Sequence, residues 1–220
     1  MWVKICGVRD EATAEFVSAA APDAIGLNFH PPSPRCVEVE TAARIVRVVP
    51  KSIAIVGVFV NASADDVLET CAACGIEWIQ LHGDERPPLL AELKRRRPDL
   101  RLIRAFRFGA DGLAPLVADL DECARLDAVP EACLIDAHVP GSYGGTGRTV
   151  AWDALAGALA AQPLPARLIL AGGLTAENVA DSIAAVRPWG VDVAGGVESS
   201  PGVKDADRVT RFLAAARGAS

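Results

Sequence analysis

The sequence predicts a single α/β domain over residues 1–220, folded as a (β/α)8, or TIM, barrel. Short runs rich in Val, Ile and Leu alternate with longer segments of helical period from one end of the chain to the other. The length of 220 residues lies within the range of one such barrel. Apolar residues make up 51% of the chain and aromatic residues only 5%, which suits many short buried strands packed against alanine-rich helices.

Eight strands and eight helices are predicted in alternation. The predicted strands are 2–6, 24–29, 53–60, 77–82, 101–106, 132–136, 167–171 and 190–194. The predicted helices are 11–20, 39–49, 63–74, 86–97, 112–126, 151–161, 175–186 and 204–216. Capping residues mark several helix starts: Ser63 precedes the third helix, Thr175 with Asn178 begins the seventh, and Asp205 opens the eighth. Strands joined by helices pair in parallel through right-handed crossovers, and eight such units close into a barrel.

An open, doubly wound sheet is the main alternative fold. It would be expected to carry a G-x-G-x-x-G stretch after the first strand and an acidic residue about twenty positions later to hold a ribose. The chain has neither feature. The barrel is therefore preferred.

Composition and charge argue against several classes of partner. The chain has 22 Lys plus Arg against 28 Asp plus Glu, so its net charge of −6 offers no global positive field for nucleic acid or an anionic membrane. The run Arg95–Arg97 closes a predicted helix, where cations complement the helix dipole. No window approaches the roughly 18 uninterrupted apolar residues of a membrane span, and the N-terminus lacks a signal-peptide pattern. We therefore expect a cytoplasmic protein without nucleic-acid or membrane partners.

The six cysteines and three histidines indicate neither a disulfide framework nor a metal site. Cys71 and Cys74 fall in a predicted helix among apolar neighbours, so we interpret them as packing residues. His30, His82 and His138 lack the close spacing of a metal-binding pair. Reduced thiols and no bound metal are expected.

Polar side chains share one face of several predicted strands, although strands buried on both sides should be almost entirely apolar. An unpaired buried polar group costs about 1–3 kcal/mol, so these residues need a reason to be there. Cys6 shares a face with Lys4 in the first strand, while His82, Asp136 and Asp192 occupy the same parity in the fourth, sixth and eighth. Side chains at the C-terminal ends of barrel strands converge on one mouth, where active sites form. The pattern predicts a functional site there.

Two glycine pairs at neighbouring strand ends predict a phosphate site. Gly172-Gly173 follows the seventh strand and precedes a helix, and Gly195-Gly196 follows the eighth strand. Glycines let backbone N–H groups approach an anion closely, at the barrel position where phosphate sites commonly occur. A third cluster, which includes Gly145, follows the sixth strand. We interpret it as a lid and include Gly145 among the phosphate-binding candidates.

Six stretches together resemble the phosphoribosylanthranilate isomerase family of tryptophan biosynthesis, and the likeness covers almost the entire chain. They are Lys4-Ile-Cys-Gly7, Ser33-Pro-Arg35, Val56-Gly-Val-Phe-Val-Asn61, Gln80-Leu-His-Gly83, Tyr143-Gly-Gly-Thr-Gly147, and Val191-Asp-Val193 continued by Gly196-Val-Glu198 and Pro201-Gly202. Their order and spacing match as well. The resemblance implies an enzyme that opens the ring of a phosphoribosylamine, removes the C2′ proton and converts the enolamine into a 1-deoxyribulose product. It implies no cofactor.

The resemblance also implies roles for individual residues. Cys6 would be the general base that removes the C2′ proton and Asp136 the general acid that protonates the ring oxygen, so the two groups must differ in proton occupancy. Arg35 would pair with the anthranilate carboxylate, for which a planar guanidinium is well shaped. His82 and Asp192 would line the pocket and orient groups rather than transfer protons.

Lys4 and two departures from the family's common pattern also bear on the predicted site. Lys4 is interpreted either as promoting the Cys6 thiolate or as part of a structural ion pair. Ala194-Gly195 stands where the family often has Ser-Ser, and Val150-Ala151 stands where an aromatic and an acidic or amide residue often precede Trp. We expect the first change to remove a hydroxyl contact with phosphate, and both changes to spare the proton-transfer pair.

Other functions stay open on the sequence alone. A histidine-pathway isomerase or a dual-specificity relative would use two carboxylates, and Cys6 argues against it. A metal-dependent epimerase would need several His and Asp ligands at strand ends, and a Schiff-base aldolase would need a lysine nearer the barrel mouth than Lys4. A catalytically idle phosphosugar-binding subunit would keep the glycine loops without an acid and a base. A monomer is the starting expectation for the oligomeric state.

Overall fold

Eight parallel strands form a closed barrel in the order in which they occur along the chain. The computed structural model describes residues 1–136 and 147–219, with the backbone alone for 147–151. The strands are β1 Trp2–Cys6, β2 Ala24–Asn28, β3 Ala54–Phe59, β4 Trp78–Leu81, β5 Arg101–Arg107, β6 Ala132–Asp136, β7 Arg167–Ala171 and β8 Gly190–Val193. The predicted barrel is confirmed, and the open-sheet alternative is wrong because β8 pairs with β1.

A helix follows each barrel strand. The helices are α1 Glu11–Ala19, α2 Val39–Val48, α3 Ala64–Cys74, α4 Pro87–Arg96, α5 Ala114–Arg125, α6 Gly147–Ala161, α7 Val179–Val186 and α8 Ala206–Gly218. All eight predicted helices have a counterpart, with ends that differ by up to a few residues. In the part of the chain that the structure describes, no helix is both long and apolar enough to cross a bilayer.

The helices after β7 and β8 begin later than predicted. Helix α7 begins at Val179 rather than at 175, because residues 175–178 form a turn in which the side chain of Asn178 accepts a hydrogen bond from the Thr175 N–H at 2.8 Å. Helix α8 begins at Ala206 rather than at 204, because Asp205 caps it by accepting from the Arg208 N–H. A short 3-10 turn over Gly195–Val197 and a hairpin of β9 Glu198–Ser200 with β10 Val203–Lys204 precede it.

Alternate residues of each strand face two separate layers of core, as predicted. Val3 and Ile5 of β1 pack in the outer layer between the sheet and the helices, and so do Val191 and Val193 of β8. The inner layer fills the barrel and consists mainly of small and branched side chains: Ala24, Val56, Ile103, Ala105, Ala132, Leu134, Ile169 and Ala171. The opposite parity of β1, which carries Lys4 and Cys6, therefore faces the interior.

Three tryptophans close the N-terminal end of the barrel. Trp2 stacks on Trp189 with ring centroids 5.0 Å apart and lies 6.4 Å from Trp78. All three pack against the inner layer. Because this end is filled by large rings, space for a ligand is left at the opposite end, where the strands finish.

A buried ion cluster holds the outer face of the barrel at β4 and β5. Arg104 points away from the interior, donates to Glu85 at 3.1 Å and lies 3.6 Å from Asp119 of α5. Its guanidinium also donates to the backbone oxygens of Gly83 and Glu85. The cluster therefore ties the loop after β4 to the sheet.

Candidate active site

The C-terminal ends of the strands surround a cavity of about 810 Å³. This volume is within the range of small-molecule sites. Nine of the ten predicted site residues line it: Cys6, Arg35, His82, Asp136, Gly172, Gly173, Asp192, Gly195 and Gly196. The tenth, Gly145, lies outside the described residues. Within the two described stretches, no three His, Cys, Asp or Glu side chains are placed to hold a metal ion.

Cys6 is the last residue of β1 and opens on the cavity with 8% of its surface exposed. It lies beside Gly26 of β2 in the sheet register. A Cβ atom added at Gly26 would lie 2.8 Å from the Cys6 sulfur and 3.0 Å from Cε of Lys4. Glycine at this position therefore makes room for both side chains where they approach β2.

Lys4 is fully buried inside the barrel and forms an ion pair with Asp192, with Nζ 2.8 Å from Oδ1. Burial opposes the positive charge, but the neighbouring Asp192 and Cys6 outweigh it and raise the pKa of the ammonium. Lys4 is therefore a permanent cation close to the thiol. The ion pair, which was one of the two interpretations of Lys4, is present, and it places a charge next to Cys6.

Asp136 is the last residue of β6 and lines the same cavity. Strands β7 and β8 separate it from β1, so the carboxyl and the thiol approach the cavity from different parts of the wall. Arg107, the last residue of β5, is its register partner across the sheet. Arg107 is exposed at the barrel mouth, and sequence analysis did not single it out.

His82 follows β4 directly, one residue beyond the strand end, whereas the sequence placed it inside the strand. Its Nδ1 accepts a hydrogen bond from Nε2 of Gln80 at 2.6 Å, which puts the proton of a neutral ring on Nε2 of His82. Burial lowers the pKa of His82, and the charge of Lys4 adds to this effect, so the ring is neutral at neutral pH. Gln80 is one of the residues that line the cavity. Its amide oxygen is buried and lacks a hydrogen-bond partner among the described residues.

The loops after β7 and β8 bring backbone to the cavity edge. Gly172 and Gly173 have φ of +96° and +65°, a region that side-chain-bearing residues rarely adopt. A Cβ at Gly196 would lie 1.8 Å from the backbone oxygen of Leu174, so the two loops touch. Glycine is therefore required both for the turn and for the contact between the loops.

Arg35 reaches across the cavity edge to the segment after β8. Its Nε and Nη2 each donate to one carboxylate oxygen of Glu198 at 2.7 Å. Glu198 also accepts from Nζ of Lys204 at 2.8 Å, and the same ammonium donates to the backbone oxygen of Ala194 at 3.0 Å. Although burial favours the neutral acid, the hydrogen bonds from Arg35 and Lys204 lower the pKa of Glu198 to about 2.

Sequence analysis assigned no role to Glu198 and placed Lys204 in a helix. Glu198 stood within a quoted motif, and its spacing to Lys204 across a Pro-Gly turn was the available signal for a two-stranded hairpin. Gln80 likewise stood in a motif next to His82 without an assignment. All three are buried polar residues on elements that border the cavity.

The comparisons with known proteins agree with the geometry. A family model described as N-(5'-phosphoribosyl)anthranilate (PRA) isomerase matches residues 3–215. The N-(5'-phosphoribosyl)anthranilate isomerase of Geobacter sulfurreducens is 43% identical over 98% of both chains. The phosphoribosyl anthranilate isomerase structure from Thermotoga maritima has a TM-score of 0.81 and 33% identity over 98% of both chains.

A further solved structure contains a ligand. It is a phosphoribosyl anthranilate isomerase in complex with reduced 1-(o-carboxyphenylamino)-1-deoxyribulose 5-phosphate, with a TM-score of 0.75 and 30% identity over 98% of both chains. Sequence and fold thus point to the same set of proteins. The chain belongs to the PRA isomerase family.

Proposed function

We propose that this protein converts N-(5'-phosphoribosyl)anthranilate into 1-(o-carboxyphenylamino)-1-deoxyribulose 5-phosphate in tryptophan biosynthesis, with Cys6 as general base and Asp136 as general acid. The observation that carries this proposal is that a thiol and a carboxyl, each the last residue of its strand, open on one cavity from separate parts of the barrel wall. Membership of the PRA isomerase family supports the same reaction.

The reaction needs one proton donor and one proton acceptor. Asp136 donates its proton to the furanose ring oxygen, the bond between this oxygen and C1′ breaks, and an iminium forms between C1′ and the anthranilate nitrogen. The Cys6 thiolate then takes the C2′ proton, which gives the enolamine. Transfer of the proton from Cys6 to C1′ and loss of the 2′-hydroxyl proton to the Asp136 carboxylate give the ketone product and restore the acid and the base. A separate acid and base in one cavity satisfy this sequence.

Lys4 and Asp192 have a supporting part in this proposal. A buried cation next to a thiol favours the thiolate, which is the form that accepts a proton. Asp192 holds the ammonium at 2.8 Å and so fixes its position beneath the cavity. In this proposal Lys4 has both roles at once: it forms the ion pair with Asp192, and it favours the Cys6 thiolate.

The remaining site residues bind the substrate. The backbone N–H groups of Gly172, Gly173, Gly195 and Gly196 receive the 5′-phosphate, with Gly145 as a further candidate. Arg35 binds the anthranilate carboxylate. His82 and Gln80 face the sugar. The amide oxygen of Gln80 has no partner within the described residues, and it accepts a hydrogen bond from a ribose hydroxyl.

One chain of 220 residues acts as one catalytic unit in this proposal, without cofactor, nucleic acid or membrane. We keep a monomer as the starting expectation, whereas the Thermotoga maritima relative is described as dimeric. The six cysteines are free thiols, which are typical of the cytoplasm, and we place the protein there. Light scattering under assay conditions gives the mass of the active species.

The roles of Cys6 and Asp136 are tested by Cys6→Ser and Asp136→Asn. Each should lower kcat by about 100-fold or more, because loss of a proton-transfer group has effects of this size. The matched controls are Cys36→Ser, a half-buried thiol that does not line the cavity, and Asp153→Asn, on the exposed side of α6. Loss of substrate fluorescence measures turnover. Parallel reactions with the histidine-pathway substrate test specificity, and circular dichroism checks the fold. Normal turnover in either site variant would remove its assigned role.

A further inference from the structure

The segment after β8 places a buried ion pair directly behind Arg35. Glu198 and Lys204 are 5% and 6% exposed, whereas the side chain of Arg35 reaches the cavity. The three groups form a chain of contacts in which every distance between charged atoms is 2.7 or 2.8 Å. Neither Glu198 nor Lys204 appears in the cavity lining. They can therefore act on a ligand through Arg35, through the backbone that they hold, or through the charge of Lys204 on Cys6.

The contact with Glu198 uses one edge of the guanidinium and leaves another free. Nε and Nη2 are both directed at Glu198, so the Nη1–Nη2 edge is the one left for a ligand. Among the described residues, Glu198 is the only hydrogen-bond partner of this guanidinium. An arginine can accommodate two carboxylates in this way, one at each edge. Glu198 thus fixes which edge Arg35 presents to the cavity.

The charges of the three groups explain why Lys204 is needed. Arg35 and Glu198 alone form a neutral pair, which would attract a second carboxylate weakly. Lys204 donates to Glu198 and to the backbone oxygen of Ala194, and as a cation it gives the three groups one net positive charge. Because Lys204 is buried, this charge is screened less than an exposed one. Burial lowers the pKa of Lys204, and the contact with Glu198 opposes this effect.

We propose that Glu198 and Lys204 are positioning residues that determine the affinity for the aromatic carboxylate of the substrate, by orienting Arg35 and by making its surroundings net positive. The inference rests on the proposed function, in which Arg35 binds that carboxylate. A long side chain that is held in its binding geometry loses less conformational entropy when the ligand arrives. The structural basis is the bidentate Arg35–Glu198 contact backed by Lys204.

A competing role for the same residues follows from one further contact. A Cβ at Gly195 would lie 3.5 Å from Nη2 of Arg35, so the guanidinium is also near the loop proposed to bind phosphate. If the network served the phosphate, it would act equally on every phosphorylated ligand. A pair of ligands that differ only in the carboxylate separates the two roles.

The experiment measures the affinity of two reduced product analogues: reduced 1-(o-carboxyphenylamino)-1-deoxyribulose 5-phosphate and its counterpart without the carboxylate. Glu198→Asp, which keeps the charge but shortens the reach to Arg35, and Lys204→Met, which removes the positive charge, should each weaken binding of the first by about tenfold or more, the scale of one charge-assisted hydrogen bond. Each should change binding of the second by less than about twofold. With substrate, Glu198→Asp should raise KM and keep kcat within about twofold. Glu11→Gln, in the surface pair with Arg44, is the matched control and should change neither ligand.

Two results would overturn the inference: equal weakening of both analogues, or no weakening of either. Lys204→Gln provides a second variant if Lys204→Met does not fold, since it removes the charge but keeps a polar group beside Glu198. It should lose affinity for the carboxylated analogue alone. Arg35→Ala distinguishes a failure of the proposed role of Arg35 from a failure of the proposed role of Glu198 and Lys204. If Arg35→Ala retains the preference for the carboxylated analogue, the role of Arg35 in the proposed function fails; if Arg35→Ala loses the preference while the other variants keep it, only this inference fails.

Discussion

Two buried ion pairs lie on opposite faces of the same barrel wall. Lys4 and Asp192 meet inside the barrel beneath the cavity, with a separation of 2.8 Å. Arg104 and Glu85 meet on the outer face, between the sheet and the helices, with a separation of 3.1 Å. Both pairs join a cation in a strand to an anion, and both are almost completely buried.

The neighbours of the two pairs differ in kind. Glu85 accepts from the backbone N–H groups of Asn61 and Gly83 at 2.8 Å, and Arg104 donates to backbone oxygens, so the outer pair holds loops in place. The inner pair has the thiol of Cys6 as its neighbour and lies under the cavity. A buried charge on the inner face of a barrel strand therefore points to chemistry, whereas one on the outer face points to loop anchoring.

The largest effect that we expect is on stability. Arg104→Met should lower the free energy of unfolding by about 3 kcal/mol, because it leaves a buried carboxylate and several carbonyl groups without their donor. The kcat of the folded fraction should stay within about twofold. Urea unfolding measures the first quantity, with Arg96→Met on the surface of α4 as a control of near-zero effect. If Arg104→Met lost turnover without losing stability, the outer pair would have a catalytic role, and the proposed difference between the two ion pairs would be wrong.

The inner pair should show the opposite pattern when both of its charges are removed together. Lys4→Met with Asp192→Asn leaves no unpaired buried charge, so the fold should be retained with a change in unfolding free energy within about 1 kcal/mol. Turnover should fall by about 100-fold, since the thiolate loses its neighbouring cation. The assay of loss of substrate fluorescence measures the rate. Full activity in this double variant would show that the pair is structural only.

Gly26 offers a smaller change at the same place. Gly26→Ala would put a methyl group 2.8 Å from the Cys6 sulfur and 3.1 Å from its Cα, and such overpacking costs about 1–3 kcal/mol. Gly157→Ala in α6 is the matched control, because nothing lies within 4 Å of the added Cβ, and it should stabilise the helix by about 0.5–1 kcal/mol. Thermal unfolding and turnover of both variants sharpen the assignment of Gly26 as a spacer. Equal behaviour of the two would contradict it.

Much of the fold and the centre of the site follow from local sequence pattern. The alternation along β1 separates Val3 and Ile5 from Lys4 and Cys6, and the structure places the two sets in different layers. The same period carries Asp136 to the cavity from a strand far away in the chain. Side-chain parity and strand order are enough to predict this convergence, because all strands of a parallel barrel end on the same side.

Partners of buried charges could not be predicted in the same way. Arg104 pairs with Glu85, and Lys204 pairs with Glu198. Each pairing depends on the conformation of a loop, which the periodic pattern of apolar residues does not predict. The start of α8 illustrates the limit. Lys204 was counted as helical, but Asp205 caps the helix two residues later than predicted and leaves Lys204 free to turn inward toward Glu198.

The dependence of kcat/KM on pH tests the central claim most directly, since Cys6 and Asp136 must hold opposite protonation states at the same moment. The account predicts a bell-shaped profile for the wild-type protein, the loss of one limb in Cys6→Ser and the loss of the other limb in Asp136→Asn. Retention of both limbs in either variant, or a flat wild-type profile, would contradict the assignment of a base and an acid that face one cavity.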